Sequence, residues 1–275
     1  MTLALSDHVT AWPPPRAALG GRNVREDWCA ADPALPPKGW IYQEASIGFV
    51  LSGWFEYHTE GASALAAPGA VVFGNAGECF NVRHLDAHGN TRLVVFLESA
   101  LMDEVANACG LDAPRFNAIT LPPGRVATQL YALMRAAGRT GGDDMLYPLA
   151  QAALTAPKPP APARVGSRDR QRVQAVVDHI DQHFGETCAL DTLATRAGLS
   201  RCHFVRVFGA VVGQSPNQYL INRRMRAAAE RLIATRTPIA QLALEVGFND
   251  LSYFYSCFKG AFGCTPGQWR KRAAA

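Results

Sequence analysis

The last 85 residues carry the same pattern of small, glycine and aromatic residues twice, and this repeat limits the possible folds more than any other feature of the chain. One copy reads Leu193-Ala194-Thr195-Arg196-Ala197-Gly198-Leu199-Ser200, then Phe204 and Phe208, then Gly213-Gln214-Ser215-Pro216-Asn217-Gln218-Tyr219. The other reads Leu242-Ala243-Leu244-Glu245-Val246-Gly247-Phe248-Asn249, then Phe254 and Phe258, then Gly263-Cys264-Thr265-Pro266-Gly267-Gln268-Trp269. The early parts are offset by 49 residues and the later parts by 50, so the second copy has one extra residue in its turn. A period of this size marks one supersecondary unit used twice.

Each piece has a physical reading. Gly198 and Gly247 stand where a first helix ends in a left-handed residue, a conformation that glycine adopts without strain. Ala194 and Ala243, one turn earlier, let a second helix cross closely. Ser200 in one copy, and Asn249 or Asp250 in the other, are expected N-caps. Spacings of three and four put Phe204, Val207, Phe208 and Val211 on one core stripe, and Phe254, Cys257, Phe258 and Phe262 on another. A short helix, a glycine turn and a capped second helix make a helix-turn-helix. Ser215-Pro216-x-Gln218 and Thr265-Pro266-x-Gln268 read as capping boxes with proline at the first helical position. The competing reading is a helical bundle duplicated for packing alone.

These residues resemble the AraC/XylS-type bacterial transcription regulators over roughly Arg172 to Arg270. The match includes Gly198-Leu199-Ser200, Phe204-x-Arg206-x-Phe208, Gly213-x-Ser215-Pro216-x-x-Tyr219 and Arg224-Met225-x-x-Ala228. It continues through Val246-Gly247-Phe248, Ser252-Tyr253-Phe254, Phe258-Lys259 and Phe262-Gly263-x-Thr265-Pro266. The resemblance implies two helix-turn-helix units joined by a long helix, binding DNA in adjacent major grooves. Geometry supports this separately. A helix from Pro216 to about Thr235, stopped by Thr237-Pro238, has 20 residues and is roughly 30 Å long at ~1.5 Å per residue. That length is close to the ~34 Å of one DNA turn.

With the phenylalanines inward, Arg201, Cys202, Val205 and Arg206 face outward as base-reading candidates on the first recognition helix. Arg206 is suited to the guanine O6/N7 edge, and Cys202 and Val205 to thymine methyls. The second presents Leu251, Ser252, Tyr255 and Ser256. The family usually has arginine where Ser256 stands, so the first unit is expected to supply most specificity and the second mainly to hold phosphates. Phosphate candidates are Arg170, Arg172, Arg196, His203, Arg223, Lys259 and Arg270. Arg224 reads as structural, pairing with Glu245.

The charge distribution agrees. From Arg168 onward there are 15 lysines and arginines against 8 acids, a balance of +7, whereas the residues before it hold 12 against 15, a balance of −3. A basic module beside a mildly acidic one suits a nucleic-acid binder with a separate sensing domain, and charge scatter is the plainer alternative. Residues 155–167, with four prolines, read as a semi-extended linker. The expected architecture is α+β: a sensor and dimerisation domain at 20–155, a linker at 156–167 and a double helix-turn-helix at 168–275.

The first domain shows short β-type runs at Ala45–Leu51, Trp54–His58, Ala70–Phe73, Phe80–Arg83 and Arg92–Leu97, separated by glycine and proline turns. This pattern suggests a small sandwich or barrel. The region is similar to the small cupin-like β-barrels that often precede the family's DNA-binding module. Helical patterns follow at Leu101–Cys109, Arg125–Arg139 and Asp143–Leu154. An effector pocket is expected from Trp54, Tyr57, His58, Phe73, Glu78, Cys79, Phe80, Arg83 and His84, against the plainer reading that the aromatics only fill the barrel. A metal-dependent cupin enzyme fused to a DNA-binding module is the alternative. It lacks a His-x-His pair, and the strands offer only Glu56, His58, Glu78, Cys79 and His84, so no metal, cofactor or catalytic residue is assigned. His179 and His183 have metal-compatible spacing without a third ligand. A redox sensor at Cys79 or Cys29 has no basic neighbour in sequence.

Seven scattered cysteines and no secretory pattern in Met1–Thr10 lead to the expectation of a cytoplasmic protein with reduced thiols. No apolar run approaches a membrane span. The expected partners are promoter DNA, RNA polymerase, a small-molecule effector and a second copy of the chain.

Overall fold

The computed structural model describes residues 10–11, 18–21, 24–29, 39–85, 89–140, 145–159 and 165–272. Residues 160–164 of the expected linker, residues 143–144 of an expected helix and His88 of an expected turn lie outside them. The chain forms two compact units. One comprises Met1–Leu121 and Leu133–Pro159, the other Pro122–Ala132 and Pro160–Ala275.

The first unit is mainly β. Its elements begin with β1 (Thr10–Ala11), β2 (Ala18–Gly21), β3 (Val24–Cys29), β4 (Gly39–Ile41) and β5 (Ala45–Ser52). Next come β6 (Phe55–Thr59), β7 (Ser63–Ala66), β8 (Val71–Gly74), β9 (Cys79–His84) and β10 (Asn90–Leu97). They are followed by α1 (Ser99–Ala108), β11 (Thr120–Leu121), α2 (Arg125–Thr140), whose start belongs to the second unit, and α3 (Leu146–Leu154).

The strands form two sheets, ordered β1-β4-β9-β6-β7 and β11-β8-β5-β10-β3-β2. All pairings are antiparallel except β1 with β4. The expected small barrel is therefore corrected: these are two open sheets, with no pairing between them among the described residues. The physical reason lies in the connections. The Gly53-Trp54 link carries the chain from β5 in one sheet to β6 in the other, so these two strands do not pair although they follow each other in sequence.

Alternation places the core. On β6, Phe55 and Tyr57 are buried while Glu56 and His58 are only half-buried, and on β9 Phe80 and Val82 are buried while Arg83 is exposed. These residues join Val50 and Val72 of the second sheet in one buried cluster. Tyr57 donates its hydroxyl to the Phe73 carbonyl at 3.0 Å and lies 2.8 Å from the Tyr42 hydroxyl. Burial pushes Tyr42 up to about 12. β5 and β10 are buried at nearly every position, as expected of strands covered on both faces. α1 and α3 pack on one another through faces that bury Met102, Val105 and Ala106 on one and Leu149, Ala150 and Ala153 on the other.

The second unit is helical in its described C-terminal part: α4 (Ser167–His183), α5 (Leu190–Arg196), α6 (Arg201–Val212), α7 (Pro216–Ala234), α8 (Ile239–Glu245), α9 (Leu251–Phe262) and α10 (Pro266–Arg272). α7 is shared between the two copies. It packs on α4 and α6 in the first and on α8, α9 and α10 in the second. Its 19 residues span about 28 Å. None of the described helices is long and apolar enough to cross a membrane.

Candidate nucleic-acid interface and ligand cleft

The two helical copies build the same corner. Gly198 has φ 62° and Gly247 φ 93°, both left-handed. The Leu199 amide donates to the Ala194 carbonyl at 3.1 Å and the Gly198 amide to Thr195 at 2.9 Å. In the other copy Phe248 donates to Ala243 and Gly247 to Leu244, both at 2.9 Å. These paired bonds satisfy the last carbonyls of α5 and α8 and turn the chain into the next helix. Ser200 and Asp250 are the N-caps, and only Asp250 makes a side-chain cap, accepting from the Tyr253 amide at 3.0 Å.

The core stripes are close to those expected. Phe204, Val207 and Phe208 are buried on α6, and Phe254 and Phe258 on α9. Val211, Cys257 and Phe262 are only half-buried, and Val212 and Ala261 take the buried positions instead. Val212 follows Phe208 by four residues and continues its row, leaving Val211 at the rim. With these faces inward, Arg201, Cys202 and Arg206 are exposed and Val205 half-buried; on α9, Leu251, Ser252, Tyr255 and Ser256 are all exposed.

A model of a helix-turn-helix domain matches residues 193–272. Regulatory protein SoxS of Salmonella typhimurium is 30% identical over 103 residues, covering 38% of this chain and 96% of that protein. The chain belongs to the AraC/XylS-type transcription regulators. RCS-specific HTH-type transcriptional activator RclR of Escherichia coli is 33% identical over 101 residues, 37% of this chain and 36% of that protein. In that match the chain spans only about a third of its relative. The solved DNA-binding domain of AdpA in complex with a target DNA is 29% identical, with TM-score 0.36, covering 36% of this chain and 90% of that one. By name, SoxS is a regulatory protein and RclR a transcriptional activator.

The family's cations divide into exposed and engaged groups in this chain. Arg206 is exposed and has no ion pair among the described residues. Arg201 lies 3.6 Å from Asp191 on the surface. Arg196 and Lys259 are exposed, whereas Arg170 and His203 are half-buried. Arg172 pairs with Asp169 at 3.2 Å.

Two further phosphate candidates make contacts inside the helical unit. Arg223 pairs with Asp181 at 3.3 Å and lies 4.1 Å over the Phe184 ring, and burial lowers its pKa. Arg270 donates to the Leu232 carbonyl at 3.3 Å and the Thr237 carbonyl at 2.6 Å, tying down the end of α7. Both guanidinium groups are engaged inside the helical unit, which helical spacing alone cannot reveal. Arg224 is structural as expected, but it does not pair with Glu245. It donates to the carbonyls of Phe184 at 2.7 Å and Glu186 at 2.8 Å, and Glu245 pairs with Arg231 at 3.1 Å.

In the first unit the nine expected pocket residues do not form one site. Trp54, Tyr57 and Phe73 are core, at 1%, 0% and 2% exposure, and Phe73 stacks on Phe116 at 4.7 Å. Strand parity sends Arg83 and His58 to the other face of the sheet, where both pair with Glu56. Glu78 accepts from the Asn75 side chain at 3.1 Å, and Cys79, half-buried, alternates away from the buried Phe80 and Val82. No group of three or more His, Cys, Asp or Glu among the described residues is placed to hold a metal ion.

Phe80 instead lines a cleft with Asp27, Trp28, Cys29, Trp40, Val82 and Arg92. Arg92 pairs there with Asp27 at 3.3 Å. His84 Nε2 lies 3.4 Å from the Cys29 sulfur, so tertiary structure supplies the basic neighbour that the sequence around Cys29 lacks. Burial pushes the Cys29 thiol up, which favours its neutral form. Sequence reasoning missed this site because β3 reads Val-Arg-Glu-Asp-Trp-Cys, too charged to suggest a strand. Arg25 is nevertheless only 8% exposed and lies 4.2 Å over Phe96.

Proposed function

We propose that the protein binds promoter DNA through α6 and α9 and that its β-rich unit answers to a small-molecule effector. The carrying observation is the repeated corner of the helical unit. Two recognition helices with buried inner stripes and exposed outer faces are joined by a helix of about 28 Å, close to one ~34 Å turn of DNA. The domain at 168–275 does the binding, 20–155 senses and dimerises, and 156–167 links them. Arg206, Arg201, Cys202 and Val205 read bases, and Arg196 and Lys259 meet phosphates. The second helix-turn-helix, with serine at position 256, lacks a bidentate contact like that of Arg206, and its Lys259 meets phosphate. The cleft beside Arg92 suits an effector, since it combines aromatic walls with one ion pair. The protein acts in the cytoplasm, where bound promoter gives it access to RNA polymerase.

Footprinting the full-length protein on fragments of its source genome tests this. The expected result is protection of two successive major grooves on one face of the duplex, with affinity falling steeply as salt rises. Protection of a single groove, or affinity indifferent to salt, overturns it. The genes beside the protected sites identify the pathway.

A further inference from the structure

We propose that α9 recognises thymine methyl groups, so that the half-site facing the second unit is a thymine-rich tract selected by van der Waals contact. This rests on α6 and α9 being the groove-facing helices. Among the described residues five large apolar side chains are exposed, and four belong to the second copy: Leu244, Leu251, Tyr253 and Tyr255, at 61%, 43%, 49% and 36%. Leu251 and Tyr255 stand one turn apart on the outward face of α9, at the positions that Arg201 and Val205 hold on α6. Ser252 and Ser256 stand where α6 has Cys202 and Arg206. None of the four outward positions of α9 carries a charge, whereas α6 has two arginines there.

Groove chemistry then separates the bases. Thymine presents a C5 methyl beside its O4 acceptor, and guanine presents two acceptors and no methyl. A leucine side chain at the first position of the helix shields a methyl from water. Set against guanine, it strips water from O6 and N7 and offers no donor in exchange, which disfavours that base. The hydroxyls of Ser252, Ser256 and Tyr255 are donors suited to thymine O4. Lys259 is exposed one turn beyond Tyr255 and supplies a cation for phosphate at the edge of the same face. The uncharged surface is thus continuous with a phosphate-binding rim, which fits a groove better than it fits a protein partner.

The test uses the full-length protein and duplexes selected from a random library. Arg206→Ala assigns the half-sites, because it relaxes preference only where α6 binds. Each thymine in the other half-site is then replaced by deoxyuridine, which removes the methyl alone. Affinity at fixed salt is expected to fall about fourfold for each contacted thymine, the fold-change of one buried methyl-sized group. In Leu251→Ala the same replacement is expected to change nothing, whereas in Ser252→Ala the fourfold loss persists. A deoxyuridine series without effect, a full loss retained in Leu251→Ala, or selection of guanine in that half-site overturns the proposal. A library that yields no preferred sequence in either half-site overturns the groove-reading assignment of both helices as well.

Discussion

The first helix-turn-helix closes its turn with a Leu199 amide bonded to Ala194 at 3.1 Å, and the second closes its own with a Phe248 amide bonded to Ala243 at 2.9 Å. Their buried phenylalanines also match, Phe204 with Phe254 and Phe208 with Phe258. The copies diverge wherever packing makes no demand. The outward positions read Arg201, Cys202, Val205 and Arg206 in one and Leu251, Ser252, Tyr255 and Ser256 in the other.

The supporting contacts diverge too. Tyr219 donates to the Asp181 carboxylate at 3.0 Å, whereas its counterpart Trp269 donates its indole N–H to the Ala229 carbonyl at 3.3 Å. Thr265 and Gln268 form a reciprocal capping box, with amide bonds of 2.9 and 3.3 Å, while Ser215 accepts from the Gln218 amide at 3.3 Å and Gln218 turns its side chain to Asn222. Phe204 and Phe254, and Phe208 and Phe258, fill matching core volumes, so both copies keep them. Surface positions are answerable to whatever they bind.

The largest expected difference between the copies is in their turn glycines. A Cβ at Gly247 would lie 2.8 Å from the Arg224 guanidinium, whereas a Cβ at Gly198 would meet nothing within 4 Å. Gly198→Ala is expected to cost only the left-handed strain, about 1–2 kcal/mol. Gly247→Ala also pushes Arg224 off the Phe184 and Glu186 carbonyls, and about 3 kcal/mol or more is expected. Urea unfolding of the two variants measures this, and equal midpoints would break the asymmetry.

Next in size is base discrimination. Arg206→Ala should lose about 1–3 kcal/mol of discrimination between operator variants, about fivefold or more in affinity ratio. Ser256→Ala should change it by less than about threefold, for want of a bidentate contact. Titration of both variants against the same operator set checks this, and equal losses would give Ser256 a base contact as strong as that of Arg206.

The smallest effect is on pH. His179 and His183 stack at 4.4 Å on α4, and no histidine follows His203 in the chain. Burial, then Arg196 and His183, lower the His179 pKa, with Glu186 opposing. The unfolded chain therefore binds more protons at and below the ordinary pKa of about 6.5. This contribution is present above that pH and fades as pH falls through it. A slight drop in unfolding midpoint from pH 7.5 to 5.5, flattened in His179→Gln, is the expected result.

Much of this was legible in the residues. Five runs expected as strands lie within two residues of β5, β6, β8, β9 and β10. A local pattern of turns cannot say which strands pair, so it left sandwich and barrel both open and could not give the order of strands in either sheet. β3 was hidden because Arg25 and Asp27 look like surface residues until Phe96 and Arg92 are beside them. The intramolecular partners of Arg223 and Arg270 were hidden for a related reason. An arginine on a helix reads as solvated until a carboxylate or the free carbonyls of another helix end are brought to it.

Glycine at a left-handed turn, phenylalanines four apart and a proline after a cap are local constraints. Backbone sterics and side-chain periodicity act within a few residues, so the repeated helix-turn-helix and its outward faces could be written down from the order of amino acids. The opposite held for the cleft of the first unit. Trp28 comes from β3, Trp40 from β4, Phe80 from β9 and Arg92 from β10. Sheet order puts β3 beside β10 and β4 beside β9, and the packing of one sheet against the other brings the two pairs to one place; both depend on contacts between segments far apart in the chain, which no local pattern records.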